Sequence, residues 1–514
     1  MKNKIILTIA LAATALVSSC DMDKEPYNAL VDTDALKTPT NFKSARVGLY
    51  SAMKASTAGS FYNAPEIQAD CFNAVTGFSN TYGDMYRWDF DAQSGTFETI
   101  YGNFQTLISR ANFIIDGYNK ADINNENLFN KDDLAATKTV KGDAFWMRAY
   151  AIFGLSQYFC QDYEASTASN PNTGVSYTLH YNPSEDAASY PARETLKQTY
   201  QQVLDDLDSA SVYITTVGEK NSAYVTVDAI TALRARVALA MDDYDLAIQE
   251  SELLINSGTY SLASNATELK YLWQTSASLQ GANAGGTEAI MVLATTSVNE
   301  LPAQTGEYYQ PYNAGAVPDY IPTQTFINLY SDKDYRKGIY FNKVDIATNT
   351  GGVGSVYALN KYPDVGILYR AYGQEAARFA TEPRVFRIAE MYLIAAEAYA
   401  MKGDINSAAD YLNELESSRI AGYTPQNFAS KDTFMAELRN ERAREMVAEG
   451  SRLFDLKRWH MGVKRGEAQQ RDLCLLPGAN TTDLDMPSNS NRMVWPIPKH
   501  EKDVNGNIQQ NPGY

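Results

Sequence analysis

Histidine, cysteine and tryptophan are scarce in this chain: three, four and five among 514 residues. His180, His460 and His500 stand far apart, so a His-rich metal site or a Ser–His–Asp triad lacks its usual parts. Cys20, Cys71, Cys160 and Cys474 form no CxxC pair, and no zinc site is expected. Basic residues number 44 against 61 acidic, a formal net charge of −17. Phosphate binding needs basic patches, so a nucleic-acid partner is not expected. GxSxG, HExxH and P-loop motifs are absent. "GGVGSVY" lacks the third glycine of a dinucleotide loop and opens no helix, so no cofactor is expected.

Long apolar runs are also missing, with one exception. Lys2 and Lys4 precede an apolar stretch from Ile5 to Val17. It is too short for a membrane span and reads as a signal peptide over residues 1–19. Ser18 and Ser19 lead directly into Cys20, which resembles the bacterial lipoprotein box, in which the cysteine is lipidated. Removal of the peptide takes away two lysines, and 42 basic minus 61 acidic residues leaves −19. "DMDKEPYN" follows, an acidic tether over residues 20–40. It resembles the surface-export signal of Bacteroidetes lipoproteins.

What the chain does have is tyrosine, 35 against 19 phenylalanines, and helical periodicity. Phe42, Ala45, Leu49 and Met53 form one stripe. Phe97, Ile100, Tyr101, Phe104, Leu107, Ile108, Ala111, Ile115 and Tyr118 recur at three and four, as do Val140, Ala144, Met147, Ala151, Leu155 and Tyr158. Such stripes pack helix on helix. Two stretches look alike, "VDAITALRARVALAMDDYDLAIQESELLINSGTY" and "RIAEMYLIAAEAYAMKGDINSAADYLNELESSRI". Each has an Ala-rich helix ending in Ala-Met, a polar turn and a second helix, which resembles tetratricopeptide hairpins. Between the helices lie long Asn-, Pro-, Ser- and Gly-rich stretches, of the kind that carry function. "EAIMVLA" and "GSVYALNKY" read as short strands, and Trp273 as core.

Four blocks in order carry a family likeness. They are the box at Cys20, "RAN" at Arg110–Asn112, "PRVFRIAEMYLIAAEAYA", and "NERAREMVAEGSRLFDLKRW". The terminal "VWPIPKHEKDVNGNIQQNPGY" adds to them. Together they resemble the SusD/RagB family of outer-membrane nutrient-binding lipoproteins. The family's usual run after the third helix is replaced here by "YFCQDYEASTASNP". The resemblance implies a mostly α fold: tetratricopeptide-like hairpins forming a right-handed scaffold over residues 41–514, with long irregular loops and a few short strands. It implies a lipid anchor in the outer membrane, an oligosaccharide ligand, and a TonB-dependent, SusC-like barrel transporter as partner. A peptide ligand would also be compatible with the family.

Glycan binding needs aromatic faces for the sugar's C–H side and fixed polar groups for its hydroxyls. "NTYGDMYRWDF" offers Asn80, Tyr82, Tyr86, Arg87 and Trp88; "TGEYYQPY" offers Tyr308, Tyr309 and Tyr312. The resemblance implies a sugar site formed by loops from these two regions. A glycoside hydrolase, the competing reading, needs two converging carboxylates. The stretch with Glu441, Glu445 and Glu449 at every fourth residue could supply stacked acids on one helix face. Arg444 and Arg452 follow Glu441 and Glu449 at i+3, so the block reads instead as a structural ion-pair network locking the C-terminal helix onto the repeats. No catalytic residue is assigned.

Overall fold

Helices dominate because apolar residues recur at helical spacing and polar caps stand where the pattern begins. The computed structural model describes residues 35–514 apart from 185, 282–285, 312–316, 349–350 and 476–483. Cys20 and Tyr312 therefore lie outside the described residues. Helix α1 (Pro39–Ala55) starts with Pro39 behind Thr38, whose hydroxyl accepts from the Asn41 amide in a capping box. It buries Phe42, Leu49 and Met53. The short α2 (Ser60–Gln68) follows. Helix α3 (Gly95–Lys120) buries every residue of its stripe. "RAN" sits inside this helix, and Asn112 is buried there, donating to the Thr178 carbonyl at 2.8 Å and accepting from Arg148 at 2.7 Å. Helix α4 (Lys131–Phe159) is apolar almost all round its second half, since it packs between α3 and α5 (Leu196–Tyr213).

The two similar stretches form helix hairpins, and the hairpins stack. Helices α6 (Val227–Ala240) and α7 (Tyr244–Ile255) turn through Asp242 in a left-handed conformation, with Asp243 capping α7. Helices α8 (Ile388–Lys402) and α9 (Ile405–Arg419) turn through Gly403 at φ 90°, with Asp404 capping α9. Helix α7 packs directly on α8. Buried Ala229, Ala232, Ala235 and Ala238 in α6, and Ala389, Ala395, Ala396 and Ala398 in α8, present small side chains at these interfaces. Among the described residues no helix is long and apolar enough to cross a membrane.

Short antiparallel pairs tie the long loops down. Strand β1 (Phe72–Ala74) pairs with β3 (Tyr320–Pro322), β2 (Ala289–Val292) with β6 (Arg384–Arg387), and β4 (Phe341–Ala347) with β5 (Val353–Leu359). Both strands expected from sequence are present, as β2 and β5. β1–β3 matters most here, because it joins the loop before α3 to the middle loops. A second apolar cluster forms where they meet, rich in buried aromatics including Tyr86, Trp273, Tyr309 and Tyr320.

The charged C-terminal block is a buried ion network. Helix α10 (Lys431–Met446) carries Glu441 and Glu445, and both are fully buried. Arg336 reaches Glu441 at 2.5 Å, Glu445 at 2.9 Å and Asp334 at 2.8 Å. Arg419 reaches Glu445 at 2.9 Å and Glu288 at 2.8 Å. Arg387 also contacts Glu445. Arg444 pairs with Glu441 at i+3, as its spacing predicts, and with Glu416.

Two expectations fail here. Glu449 does not share the helix face: α10 ends at Met446, and Ala448 (φ 60°) and Gly450 (φ 81°) turn the chain away. A Cβ on Gly450 would stand 2.9 Å from the Phe61 carbonyl oxygen, so glycine is required. Arg452, at the start of α11 (Arg452–Arg458), pairs with Asp70 at 2.7 Å rather than with Glu449, which is held by Arg387 and Lys361.

Candidate functional site

Beyond β1 the chain runs out to the surface and doubles back through a helical turn at Gly83–Tyr86. Two residues there take left-handed backbone, Asn80 (φ 67°) and Tyr82 (φ 57°). Non-glycine residues hold such conformations only where surrounding contacts fix them. Those contacts are visible. Ser79 donates its amide to Asp319 at 2.8 Å, the Tyr320 hydroxyl donates to the Thr81 carbonyl at 2.5 Å, and Arg87 donates to Asn80 Oδ1 at 2.9 Å. The Asn80 side chain folds over Gly83, whose imagined Cβ would lie 2.1 Å from Asn80 Oδ1.

The second predicted region arrives beside it. A turn at Glu307–Tyr309 brings Tyr308 edge-to-face onto Tyr82, ring centroids 5.3 Å apart at 84°. Both rings are half-buried, Asn80 is exposed, and Arg87 and Asp319 are half-buried. Burial, and then the neighbouring Tyr308 and Glu307, raise the Tyr82 phenol above its ordinary range. Burial, then Glu307 and Asp319, push Tyr308 up to about 12. Both phenols therefore stay protonated at neutral pH and can donate hydrogen bonds. Two aromatic edges, an amide, a guanidinium and a carboxylate thus converge on one patch. That is the chemistry a polyhydroxylated ring requires.

The structure does not bring the other predicted aromatics to this surface. Trp88 is 3% exposed, and its indole N–H donates to the Gln68 carbonyl at 2.9 Å. Tyr86 is fully buried beneath the Arg465 guanidinium, 4.1 Å from its ring centroid, with its hydroxyl on the Leu475 carbonyl. Tyr309 is fully buried, its ring 4.8 Å from that of Phe72. These three rings are packing residues, and their expected role as stacking platforms is corrected. Adjacent Tyr308 and Tyr309 do point to opposite sides, outward and inward. Asp319, Glu307 and Ser79 were not anticipated; their one sequence signal is proximity to β3 and to the aromatic clusters.

Two carboxyls, Glu307 and Asp319, stand at the patch, and burial and then Asp319 raise Glu307 above its ordinary range; the carboxyls raised furthest lie elsewhere. Burial raises Glu66 to about 7, Asp143 to about 6 and Glu416 to about 8. Glu66 accepts backbone N–H groups from Gly450 and Ser451, while Asp143 pairs with Arg46 and Glu416 with Arg444. Burial works against charge at Glu445 too, but Arg419, Arg387 and Arg336 hold it well below the usual carboxylate range. A metal could find donors at Asp162, Glu164 and His460, whose ligand atoms lie within 4.8 Å of one another at the surface.

Comparison with known proteins fits this arrangement. The model described as the SusD family matches residues 340–514, and one described as "Starch-binding associating with outer membrane" matches residues 22–239. The chain belongs to the SusD family. SusD-like protein P38 of Formosa agariphila is 22% identical over 557 aligned positions, covering 100% of this chain and 99% of that one. Among solved structures, a SusD superfamily protein of Bacteroides vulgatus has a TM-score of 0.74 at 22% identity, covering 93% of this chain and 99% of its own. One from Bacteroides thetaiotaomicron has a TM-score of 0.74 at 24% identity, covering 92% and 100%. A SusD-like carbohydrate binding protein of Bacteroides vulgatus has a TM-score of 0.73 at 16% identity, covering 92% and 97%. The SusD fold is thus shared along nearly the whole described chain.

Proposed function

We propose that this SusD-family protein captures oligosaccharides at the outer membrane through the junction of Tyr82 and Tyr308. The observation that carries the reading is that pair itself. Its rings are held edge to face by two loops far apart in sequence, and Asn80, Arg87 and Asp319 surround it. Aromatic edges bind the apolar side of a sugar, and fixed donors and acceptors select its hydroxyls. A lipid on Cys20 anchors the chain, and a TonB-dependent barrel receives the captured sugar. Capture without cleavage accords with Glu66, Asp143 and Glu416, the carboxyls raised furthest, which serve structural partners elsewhere; Glu307, raised beside Asp319 at the patch, is the acid a hydrolase would use.

A glycan-array screen of the full chain in detergent tests this, with chromatography of each bound glycan after incubation. Recovery of intact glycan supports capture. Shortened products would favour a surface glycoside hydrolase, and binding of peptides but no glycan would favour a peptide carrier on the same fold.

A further inference from the structure

A cavity of about 140 Å³ lies between α4, α6, α8 and α11 and shares no lining residue with the Tyr82–Tyr308 patch. An enclosed space of roughly 150 Å³ holds one benzene ring, so this one suits a single six-membered ring. Its apolar wall is aromatic, with Tyr62, Phe153, Phe386 and Phe454 among the lining side chains. Its charged wall carries five arginines and three carboxylates, and Glu445, Glu288 and Glu397 just behind it also pair with Arg387 and Arg458.

Two of those arginines decide what it fits. Arg236 is paired with Glu390 through Nε and Nη2, which leaves Nη1 without a protein acceptor, and its side chain keeps 27% of its accessibility. Arg384 is 6% exposed and gives its hydrogen bonds to the main-chain carbonyls of Glu382 and Thr275, while its Nε meets no acceptor. The wall therefore holds two guanidinium donors without protein acceptors, Arg236 Nη1 and Arg384 Nε, where the low dielectric strengthens any charge-assisted hydrogen bond they make. The half-buried Tyr62, on the same wall, adds a phenol that stays protonated.

We infer that this interior cavity is a second ligand site, built for a small ring bearing one carboxylate. The ring stacks among the aromatic side chains, and the carboxylate accepts from Arg236 Nη1 and the Tyr62 hydroxyl. Aromatic acids and uronic acids share this chemistry.

Equilibrium dialysis of the full chain with benzoate, 4-hydroxybenzoate and glucuronate tests the inference, with benzyl alcohol and glucose as neutral counterparts. One equivalent of an acid should bind, about tenfold or more tighter than its neutral counterpart, as expected for a charge-assisted hydrogen bond. Saturation by benzoate alone identifies an aromatic acid, and saturation by glucuronate identifies a sugar acid. Tyr62→Phe, which keeps the ring, should weaken the bound acid about tenfold, whereas Tyr308→Ala should leave it unchanged. Absence of saturable binding by all three acids overturns the inference. So does equal binding of the neutral compounds, or an affinity that Tyr308→Ala alters and Tyr62→Phe does not.

Discussion

Glu445 and Arg419 form a two-point ion pair at full burial, with Oε1 2.9 Å from Nη2 and Oε2 3.0 Å from Nε. The pair fastens α10 to the end of α9. Removing one partner of a buried pair costs ~3–5 kcal/mol, because the other charge is left uncompensated. Glu445→Ala takes one carboxylate partner from three guanidinium groups at once, leaving Arg336, Arg419 and Arg387 to their remaining acids. Its melting temperature should fall steeply in calorimetry, while the remaining folded protein binds glycan with wild-type affinity. Intact melting with lost binding would make the block functional instead.

Glu66 gives the opposite pH signature. Its folded-state pKa is raised to about 7, burial being the main cause. A carboxyl raised on folding stabilises the protein while it is protonated, fully so below its unfolded pKa. That contribution is lost as pH rises through about 7. Oε2 meets no partner, consistent with a carboxylic acid there. Glu66→Gln should therefore gain stability relative to wild type between pH 5 and pH 8, by up to ~3 kcal/mol. Paired denaturation curves across that range measure it; a difference that does not vary with pH would refute the assignment.

Trp88 should matter for folding and not for ligand. Truncating a buried tryptophan costs ~3–5 kcal/mol, and here it also removes the indole N–H bond to the Gln68 carbonyl, which keeps its bond from Arg465. Denaturant titration of Trp88→Ala should show that loss, with glycan affinity unchanged in the folded fraction.

The aromatic stripes, the hairpins and two of the strands were legible because helix and strand periods are local properties. Helix α3 buries each residue its spacing marks. The failures have non-local causes. Tyr86, Trp88 and Tyr309 sit in polar, glycine-bearing stretches that look like surface loops, yet the β1–β3 pairing folds one loop over the other and buries them. Glu449 leaves the helix face because Gly450 must pass close to Phe61, a contact with a segment far upstream. Arg387 and Arg419 stand at the two ends of the second hairpin, but only the tertiary stack shows that both converge on Glu445.

The proposed membrane attachment rests on Cys20. Stable anchoring takes more than one acyl chain, which the triacylated cysteine expected at this box would supply. Cys20→Ala should move the protein from the outer-membrane fraction to the soluble fraction. Retention of the variant after high-salt washing, with no palmitate label on wild type, would contradict lipidation.

Calorimetric titration of Tyr308→Ala with the glycan identified on the array tests the capture site most directly. Losing an aromatic anchor of this kind costs ~2 kcal/mol or more, about thirtyfold in affinity. The predicted result is that loss at an unchanged melting temperature, with Tyr82→Ala showing the same effect. Wild-type affinity in both variants would contradict the assignment of the sugar site to the Tyr82–Tyr308 junction.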